Sequence, residues 1–222
     1  MIRKTAAMKL FCMALLTLVG VAALAADNKS NTITINGGRD TVLMKAPSNL
    51  VKRPTKPAAN SFYDNIRGDG YNPVYGFSIS KGSPIGQEDT PASQFISLKS
   101  GTTNTISVGV GYLDGENGAI VDLDNDCRGV PCGNPYGSKH LCQGKITNLP
   151  VFGSTAYYVE SIKCKVKLVK GKPYWVYVQG IANSYSAWNY NVNFATGFFM
   201  KGSNGAWGSR EDGIILGAMT IE

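Results

Sequence analysis

The stretch Tyr174-Trp-Val-Tyr-Val-Gln179 has the pattern that decides the fold of this 222-residue chain. Its members Tyr174, Val176 and Val178 occupy alternate positions. Successive side chains of a β-strand point to opposite faces, so this alternation predicts a strand with one face buried and the other in water.

The same alternation recurs from residue 61 to the end of the chain. Its apolar members are Tyr75, Phe77 and Ile79; Ile106, Val108, Val110 and Tyr112; Ile162, Cys164, Val166 and Leu168; and Trp188, Tyr190 and Val192. Gly, Asn, Asp and Pro separate these runs, and no 3.6-residue period occurs after the first 25 residues. Two sheets must cover each other's apolar faces. We therefore predict an all-β protein of roughly ten strands, an antiparallel, jelly-roll-like β-sandwich.

The N-terminal residues have the pattern of a secretory signal peptide. A basic head (Arg3, Lys4 and Lys9) precedes an almost wholly apolar run over residues 10–24, and Ala23-Leu24-Ala25 has the small residues that precede a cleavage site. The apolar run is short for a membrane span, and no second run of ~18 apolar residues comes after it. We expect cleavage after this tripeptide and a soluble product in the periplasm or outside the cell, with no transmembrane anchor.

Residues 26–60 differ from the rest of the chain. Residues 31–36 (Asn-Thr-Ile-Thr-Ile-Asn) fit a short strand, whereas residues 45–60 contain three prolines and four basic residues without any period. We interpret 26–60 as an N-terminal arm or linker and 61–222 as one β-sandwich domain.

The charge of the chain argues against a nucleic-acid partner. Three of its 22 Lys and Arg residues lie in the signal peptide, which has no acidic residue, so the net charge falls from +7 to +4 on cleavage. This mild charge is accompanied by neither a basic helix nor an RNA-binding signature, so we expect no nucleic acid to bind.

Four cysteines remain after cleavage, and an oxidising compartment would join them as two disulfides. Three connectivities are possible. Folding the chain back about residue 153 places Cys142 opposite Cys164 in an apparent hairpin, which favours a disulfide between them. The remaining pair is then Cys127 with Cys132. A zinc site is the alternative, disfavoured by export and by the single histidine of the chain.

Several short motifs occur in a fixed order over residues 61–222. They are Ser61-Phe-Tyr-Asp-Asn65, Ala92-Ser-Gln-Phe95, Thr105-Ile106 with Gly109-Val-Gly-Tyr112, Val121 to Gly133, Leu149-Pro-Val-Phe-Gly-Ser154, Lys172-Pro-Tyr-Trp175, Ala187-Trp-Asn189, Gly205-Ala-Trp207 and Gly213 to Ile221. This order resembles a family of exported bacterial β-sandwich domains of unknown function, which often carry a C-terminal surface anchor of the PEP-CTERM type. The resemblance implies a β-sandwich and export but no activity. We expect no such anchor in this chain, and the cysteines look like a local addition.

One group of carboxylates is a candidate metal site. Asp122, Asp124 and Asp126 alternate along the chain and would share one face of a strand, with Asp114 and Glu116 just upstream. Calcium binds converging carboxylates, although this spacing lacks the central Gly and distal Glu of an EF-hand loop. A solvated strand face that runs into a turn is the alternative, and no other cofactor is expected.

Aromatic and basic side chains are candidates for ligand binding. We expect Tyr185 and Trp207 to lie in loops, where their rings are able to stack on sugars. Lys163, Lys165 and Lys167 form a basic stripe, continued by two further lysines, which suits an anionic glycan or lipid head group. The alternative is that these lysines only keep an edge strand soluble and unpaired.

Catalytic signatures are sparse. The single histidine, His140, lies in a Gly/Ser-rich loop, and we interpret it as a surface residue. We therefore predict an exported, non-enzymatic protein that binds a glycan or another envelope component. A structural or adhesive surface protein acting through protein contacts is the alternative. A third hypothesis, a glycan hydrolase, requires two acids about 5–10 Å apart across a cleft, for instance among Asp114, Glu116, Asp122 and Asp124.

Overall fold

A computed structural model describes residues 60–66, 70–82, 86–153 and 159–222. The predicted signal peptide and residues 26–59 of the arm lie outside the described residues. Within the described ranges every helix or strand element is a strand, so the all-β prediction is confirmed. No helix in that part of the chain is long and apolar enough to cross a membrane.

The strands are short and closely spaced along the chain. In chain order they are β1 (Tyr63–Asp64), β2 (Tyr71–Lys81), β3 (Thr90–Ile96), β4 (Gly101–Thr102), β5 (Thr105–Val108), β6 (Val110–Gly115), β7 (Gly118–Asn125), β8 (Cys142–Thr147), β9 (Glu160–Lys163), β10 (Lys167–Leu168), β11 (Pro173–Gly180), β12 (Ser184–Asn191), β13 (Thr196–Ser203), β14 (Ala206–Trp207), β15 (Glu211–Ile215) and β16 (Met219–Ile221).

These strands form antiparallel sheets that pack on one another as a β-sandwich. The large sheet has the order β14-β13-β3-β11-β7-β8, with β15 also paired to β13. A four-stranded sheet has the order β1-β16-β5-β9, a three-stranded sheet has the order β2-β12-β6, and β10 pairs with β4. Most neighbours are distant in sequence, as in β3 with β11 and β5 with β16, so long-range pairing determines the architecture.

The core lies between the inner face of the large sheet and the smaller sheets. Val176 and Val178 of β11 are buried there, as their alternation predicts. The ring of Phe77 in β2 stacks on that of Phe199 in β13 with centroids 4.1 Å apart. Trp188 of β12 is fully buried and donates its indole N–H to the Ala218 carbonyl at 2.9 Å, so the polar atom of this side chain is paired.

The outer face of the large sheet is also covered, which differs from the predicted solvated face. Trp175 and Tyr177 of β11 and Asp122 of β7 are completely buried on that side. Residues 126–141, which connect β7 to β8, extend across this face. We call this segment the covering loop. Because it has no strand period, no local pattern in the sequence indicates that it packs on the sheet.

Both predicted disulfides are present. The Cα atoms are 5.7 Å apart in Cys142–Cys164 and 4.9 Å apart in Cys127–Cys132. The predicted hairpin is wrong, because β8 pairs with β7 whereas β9 pairs with β5. Cys142–Cys164 therefore joins the large sheet to the chain just after β9, a strand of another sheet. Two disulfides are characteristic of proteins that reside in an oxidising compartment.

Candidate functional site

A cluster of polar side chains lies on the outer face of the large sheet, beneath the covering loop. We call Asp122, Asp124, His140, Tyr177 and Gln179 the polar cluster. The antiparallel register places Tyr177 of β11 opposite Asp122 of β7. Residues two positions apart in a strand share one face, so Asp124 lies on the same side as Asp122, and Gln179 on the same side as Tyr177.

The Asp122 carboxylate is held by two amide side chains. Gln143 Nε2 donates to Asp122 Oδ1 at 2.7 Å, and Gln179 Nε2 donates to Asp122 Oδ2. The Gln179 side chain also accepts the Tyr136 N–H at 2.8 Å, so it connects β7 to the covering loop. These contacts make Asp122 a fixed part of the fold.

Asp124 and His140 complete the cluster. Asp124 Oδ2 accepts the Gly133 N–H at 2.7 Å and the Tyr177 hydroxyl at 3.3 Å. His140 Nε2 lies 2.5 Å from the Gly137 carbonyl oxygen, an acceptor only, so this nitrogen carries a proton. His140 Nδ1 lies 2.5 Å from the Tyr177 hydroxyl. The imidazole also lies 3.7 Å from the Asp122 carboxylate.

Burial dominates the electrostatics of the two carboxylates. It raises the pKa of Asp122 to about 6, although the amide donors and His140 favour the charged form. Burial likewise raises the pKa of Asp124, against the hydrogen bond from Gly133. The cluster therefore takes up a proton as the pH falls from neutral to weakly acidic.

The covering loop closes this cluster from solvent. Trp207 of β14 donates its indole N–H to the Gly133 carbonyl at 2.6 Å, and its ring packs edge-on against Tyr177 with centroids 5.1 Å apart. The Cys127–Cys132 disulfide staples the first part of the loop. Only 4% of the His140 side chain is exposed, so its interpretation as a surface residue is wrong. The cluster has the residue types of an acid–base site, but a substrate has no access to them.

The calcium prediction gains no support from this geometry. Asp126, half-buried, accepts N–H groups from Gln94 at 2.8 Å, from Trp175 at 2.8 Å and from Gly129 at 2.9 Å. Its carboxylate is therefore occupied by nitrogen donors, as are those of Asp122 and Asp124. Among the described residues no three or more His, Cys, Asp or Glu side chains are grouped to hold a metal ion. The alternative of a solvated face is wrong, because Asp122 and Asp124 are buried.

The acids required for a hydrolase do not share one environment. Asp114 and Glu116 are exposed at the turn between β6 and β7, whereas Asp122 and Asp124 are buried under the covering loop. Asp122 and Asp124 are therefore both closed from solvent, Asp114 and Glu116 both lie on the exposed surface, and any other pairing combines an exposed acid with a closed one.

Tyr185 and Trp207 are not loop residues, so their predicted location is wrong. Tyr185 lies within β12, opposite Ser80 and Asp114 of its neighbours, and is buried. Trp207 lies in β14, half-buried, with its indole N–H engaged in closing the polar cluster. Their role in ligand binding stays a prediction.

An open groove of about 400 Å³ lies where β13 separates from β3. The ladder between these strands ends at the pair Phe199↔Ser93, and β13 shifts its register against β15 between Gly197 and Phe199. Beyond that shift β13 pairs with β15 alone, as in Thr196↔Ile215. Residues 94–96 of β3 keep their partners in β11. β3 and β13 thus diverge from this point, and the groove occupies the space between them.

Aromatic rings and carboxylates line this groove together. Tyr63, Phe95 and Phe198 contribute the rings, and Asp64 and Asp212 contribute the carboxylates. The Tyr63 and Phe95 rings contact each other with centroids 5.4 Å apart. The groove thus offers apolar ring surface beside acceptor oxygens.

The two carboxylates are held differently. Asp64 is buried and accepts the Thr220 hydroxyl at 2.9 Å and the Ile66 N–H at 3.1 Å. Asp212 is exposed and accepts the neighbouring Gly213 N–H at 2.7 Å. Asp212 is therefore the carboxylate better placed to meet a ligand, and Asp64 belongs to the scaffold.

No family model, curated protein or solved structure matches this chain. The resemblance to exported bacterial domains therefore stays a prediction. Sequence reasoning also missed the groove. Tyr63, Asp64 and Phe95 stand inside motifs that the resemblance uses and Phe198 and Asp212 do not, but no pattern indicated that these residues face a common space.

Proposed function

We propose that this protein is an exported, non-enzymatic β-sandwich that binds a glycan of the cell envelope in the groove between β3 and β13. The observation that carries the proposal is the combination of aromatic rings with an exposed carboxylate in one open groove. Sugars present C–H faces that pack on aromatic rings and hydroxyl groups that donate to carboxylates.

The dimensions and composition of the groove support a small ligand. Its volume of about 400 Å³ lies within the ~300–1,000 Å³ common for small-molecule sites, which are mostly apolar with few orienting polar groups. Tyr63 and Phe198 are half-buried, so part of each ring faces the groove. Burial raises the pKa of the Tyr63 hydroxyl, which has a hydrogen bond with the Asn65 side chain, so the part of Tyr63 offered to a ligand is its ring.

The closed polar cluster supports a binding function over a catalytic one. General acid–base catalysis requires a side chain within hydrogen-bond reach of the substrate. His140, Asp122 and Asp124 are instead engaged in contacts within the protein. The groove itself contains one exposed carboxylate, Asp212, beside one that is buried and hydrogen-bonded within the fold.

Export is supported by two independent features. The signal-peptide pattern predicts secretion, and the two disulfides require an oxidising compartment to persist. An exported binding module would meet the glycans of the envelope before any cytoplasmic ligand.

A glycan array tests this proposal with the purified, oxidised mature protein, with and without calcium. Tyr63→Leu removes the ring but keeps apolar volume, and Asp212→Asn removes the exposed charge. We expect each to weaken binding by about tenfold, the effect of losing about 1.4 kcal/mol of contact energy. Val151→Ser, at an exposed residue outside the groove, is the matched control and should leave binding unchanged.

Other outcomes would redirect or overturn the proposal. Loss of binding in Trp207→Phe or Tyr185→Phe, with Tyr63→Leu unaffected, would assign the ligand to the residues predicted from sequence and not to the groove. A folded protein that binds no glycan would overturn the proposal in favour of a structural or adhesive role through protein contacts. Calcium dependence would restore the aspartate site.

A further inference from the structure

Two loops at one end of the sandwich lie side by side. We call residues 96–100 and 169–172 together the paired tip. The Gly171 N–H donates to the Ser97 carbonyl at 2.8 Å, and the Ser97 N–H donates to the Lys172 carbonyl at 3.0 Å. The Lys170 N–H donates to the Ser100 hydroxyl at 2.9 Å. These bonds fix the backbone of one loop against that of the other.

The paired tip exposes an unusual amount of apolar side chain. Large hydrophobic residues of the described chain are exposed at five positions, and three of them are here: Ile96 at 48%, Leu98 at 44% and Val169 at 39%. Single exposed apolar residues are ordinary on a protein surface, whereas neighbouring ones signal an interaction site. The backbone hydrogen bonds of the tip place these three residues on adjoining segments. The two others, Val151 and Val159, lie outside these loops.

Basic residues border these apolar side chains on one side of the tip. Lys167, Lys170 and Lys172 are exposed, and residues 96–102 and 166–173 contain no Asp or Glu. Lys99 is not counted with them, because its ammonium bonds to the Asn60 carbonyl and lies 4.5 Å from the Phe62 ring centre. Ile96 and Leu98 also line the groove between β3 and β13, together with Asp64 and Asp212. The margin of the tip formed by residues 167–172 is therefore positively charged, and its other side adjoins the groove.

We propose that the paired tip docks on an anionic lipid bilayer. Ile96, Leu98 and Val169 would enter the boundary between head groups and acyl chains, and the lysines would contact lipid phosphates. Apolar side chains bordered by Lys or Arg are the arrangement by which peripheral proteins bind anionic membranes. A soluble polyanion would use the lysines but would gain nothing from three exposed aliphatic side chains.

The lysine stripe predicted from the sequence is divided by the structure. The predicted continuous strand over residues 162–168 consists of β9 and β10 with an interruption between them. Lys163 belongs to the edge strand β9, where lysine discourages edge pairing, whereas Lys167 belongs to β10 and leads into the tip. Protection of an edge strand is therefore the interpretation that fits Lys163, and contact with an anionic ligand is the one that fits Lys167.

Vesicle co-sedimentation of the oxidised mature protein tests this proposal. The probe is a vesicle of phosphatidylglycerol and phosphatidylcholine, compared with phosphatidylcholine alone. We expect binding only to the anionic vesicles, weakened by salt. Lys170→Gln and Lys172→Gln should each weaken it by about fivefold, and Val169→Ser should weaken it by at least as much. None of these three residues lines the groove, so glycan binding should be unchanged.

Matched controls lie elsewhere on the surface. Val151→Ser removes an exposed apolar side chain outside the tip, and Lys145→Gln removes an exposed lysine from β8. Both should bind vesicles like the wild type. Failure of the folded wild type to bind anionic vesicles would overturn the proposal. So would binding that depends on the lysines but not on Val169, which is the behaviour of a polyanion site.

Discussion

The polar cluster and the groove, both adjoining the large sheet, use their residues in opposite ways. The cluster contains carboxylates, an imidazole and a phenol, the groups most often used in chemistry, and the covering loop closes it from solvent. The groove is lined largely by rings and aliphatic side chains, and it is open. Access to solvent, and not residue type, therefore distinguishes the two as candidate sites.

The difference arises from the path of the chain next to each region. After β7 the chain returns across the outer face, and its contacts from Tyr136 to Gln179 and from Gly133 to Asp124 keep it there. At β13 the register shift between Gly197 and Phe199 accompanies the separation of this strand from β3. The space between the two strands stays open within the described part of the chain. The covering loop thus closes the polar cluster, whereas the irregular pairing of β13 leaves the groove open.

Removing a carboxylate from each region should give the largest contrast. Asp122→Ala leaves the Gln143 and Gln179 amides without their buried acceptor, so we expect the free energy of unfolding to fall by about 3 kcal/mol. Asp212→Ala, at the exposed edge of the groove, should change it by no more than about 0.5 kcal/mol. Urea denaturation of the oxidised proteins measures both. Equal effects would mean that the two regions do not differ as described.

The stability that the polar cluster contributes should depend on pH. The Asp122 pKa is about 6 in the folded protein and about 3.9 when unfolded, so the folded state binds the proton more tightly. The contribution of Asp122 to the free energy of unfolding is therefore greatest at low pH and is lost as the pH rises from about 4 to about 6. Across this window the free energy of unfolding of the wild type, relative to that of Asp122→Asn, should fall by up to about 3 kcal/mol.

Val151→Ser, which removes no titratable group from an exposed position, serves as the control for this titration. It should differ from the wild type by a nearly constant amount from pH 4 to pH 7. A constant difference for Asp122→Asn as well would show that its carboxyl titrates normally and that the cluster is hydrated.

Opening the Cys127–Cys132 disulfide should loosen the covering loop but not the groove. Cys127→Ser with Cys132→Ser removes the constraint of a short closed loop, which the chain-entropy treatment places at about 2 kcal/mol. Amide hydrogen exchange should accelerate at Gly133 and Tyr136, whereas residues 196–198 of β13 should exchange as before. Faster exchange at both places would mean that loop and groove are one cooperative unit.

The parts of this structure that depend on local patterns were predictable from the sequence. Alternation at Tyr174, Val176 and Val178 identified β11 and its inner face, and the cysteine pairs were predicted correctly. These strand predictions depend on the two-residue period, which is visible in any single sequence.

The remaining features depend on contacts between distant residues. The burial of Asp122 involves Gln179, 57 positions along the chain, and that of His140 involves Tyr177. The Cys142–Cys164 pair was predicted correctly but from a hairpin that the described structure does not contain. The two cysteines are close because β8 and β9, which belong to different sheets, lie near each other. The groove depends on where β13 leaves β3, and no local pattern reports that position.

The reactivity of His140, the single histidine of the chain, decides whether the polar cluster is closed. Diethyl pyrocarbonate acylates accessible imidazoles, and peptide mass spectrometry locates the product in the untagged, oxidised protein. If the covering loop shields the cluster, His140 should stay unmodified in the native protein and react promptly once urea unfolds the chain. Rapid modification of the native protein would contradict this closure, because it would show that the acid–base residues of the cluster are open to solvent and to substrates.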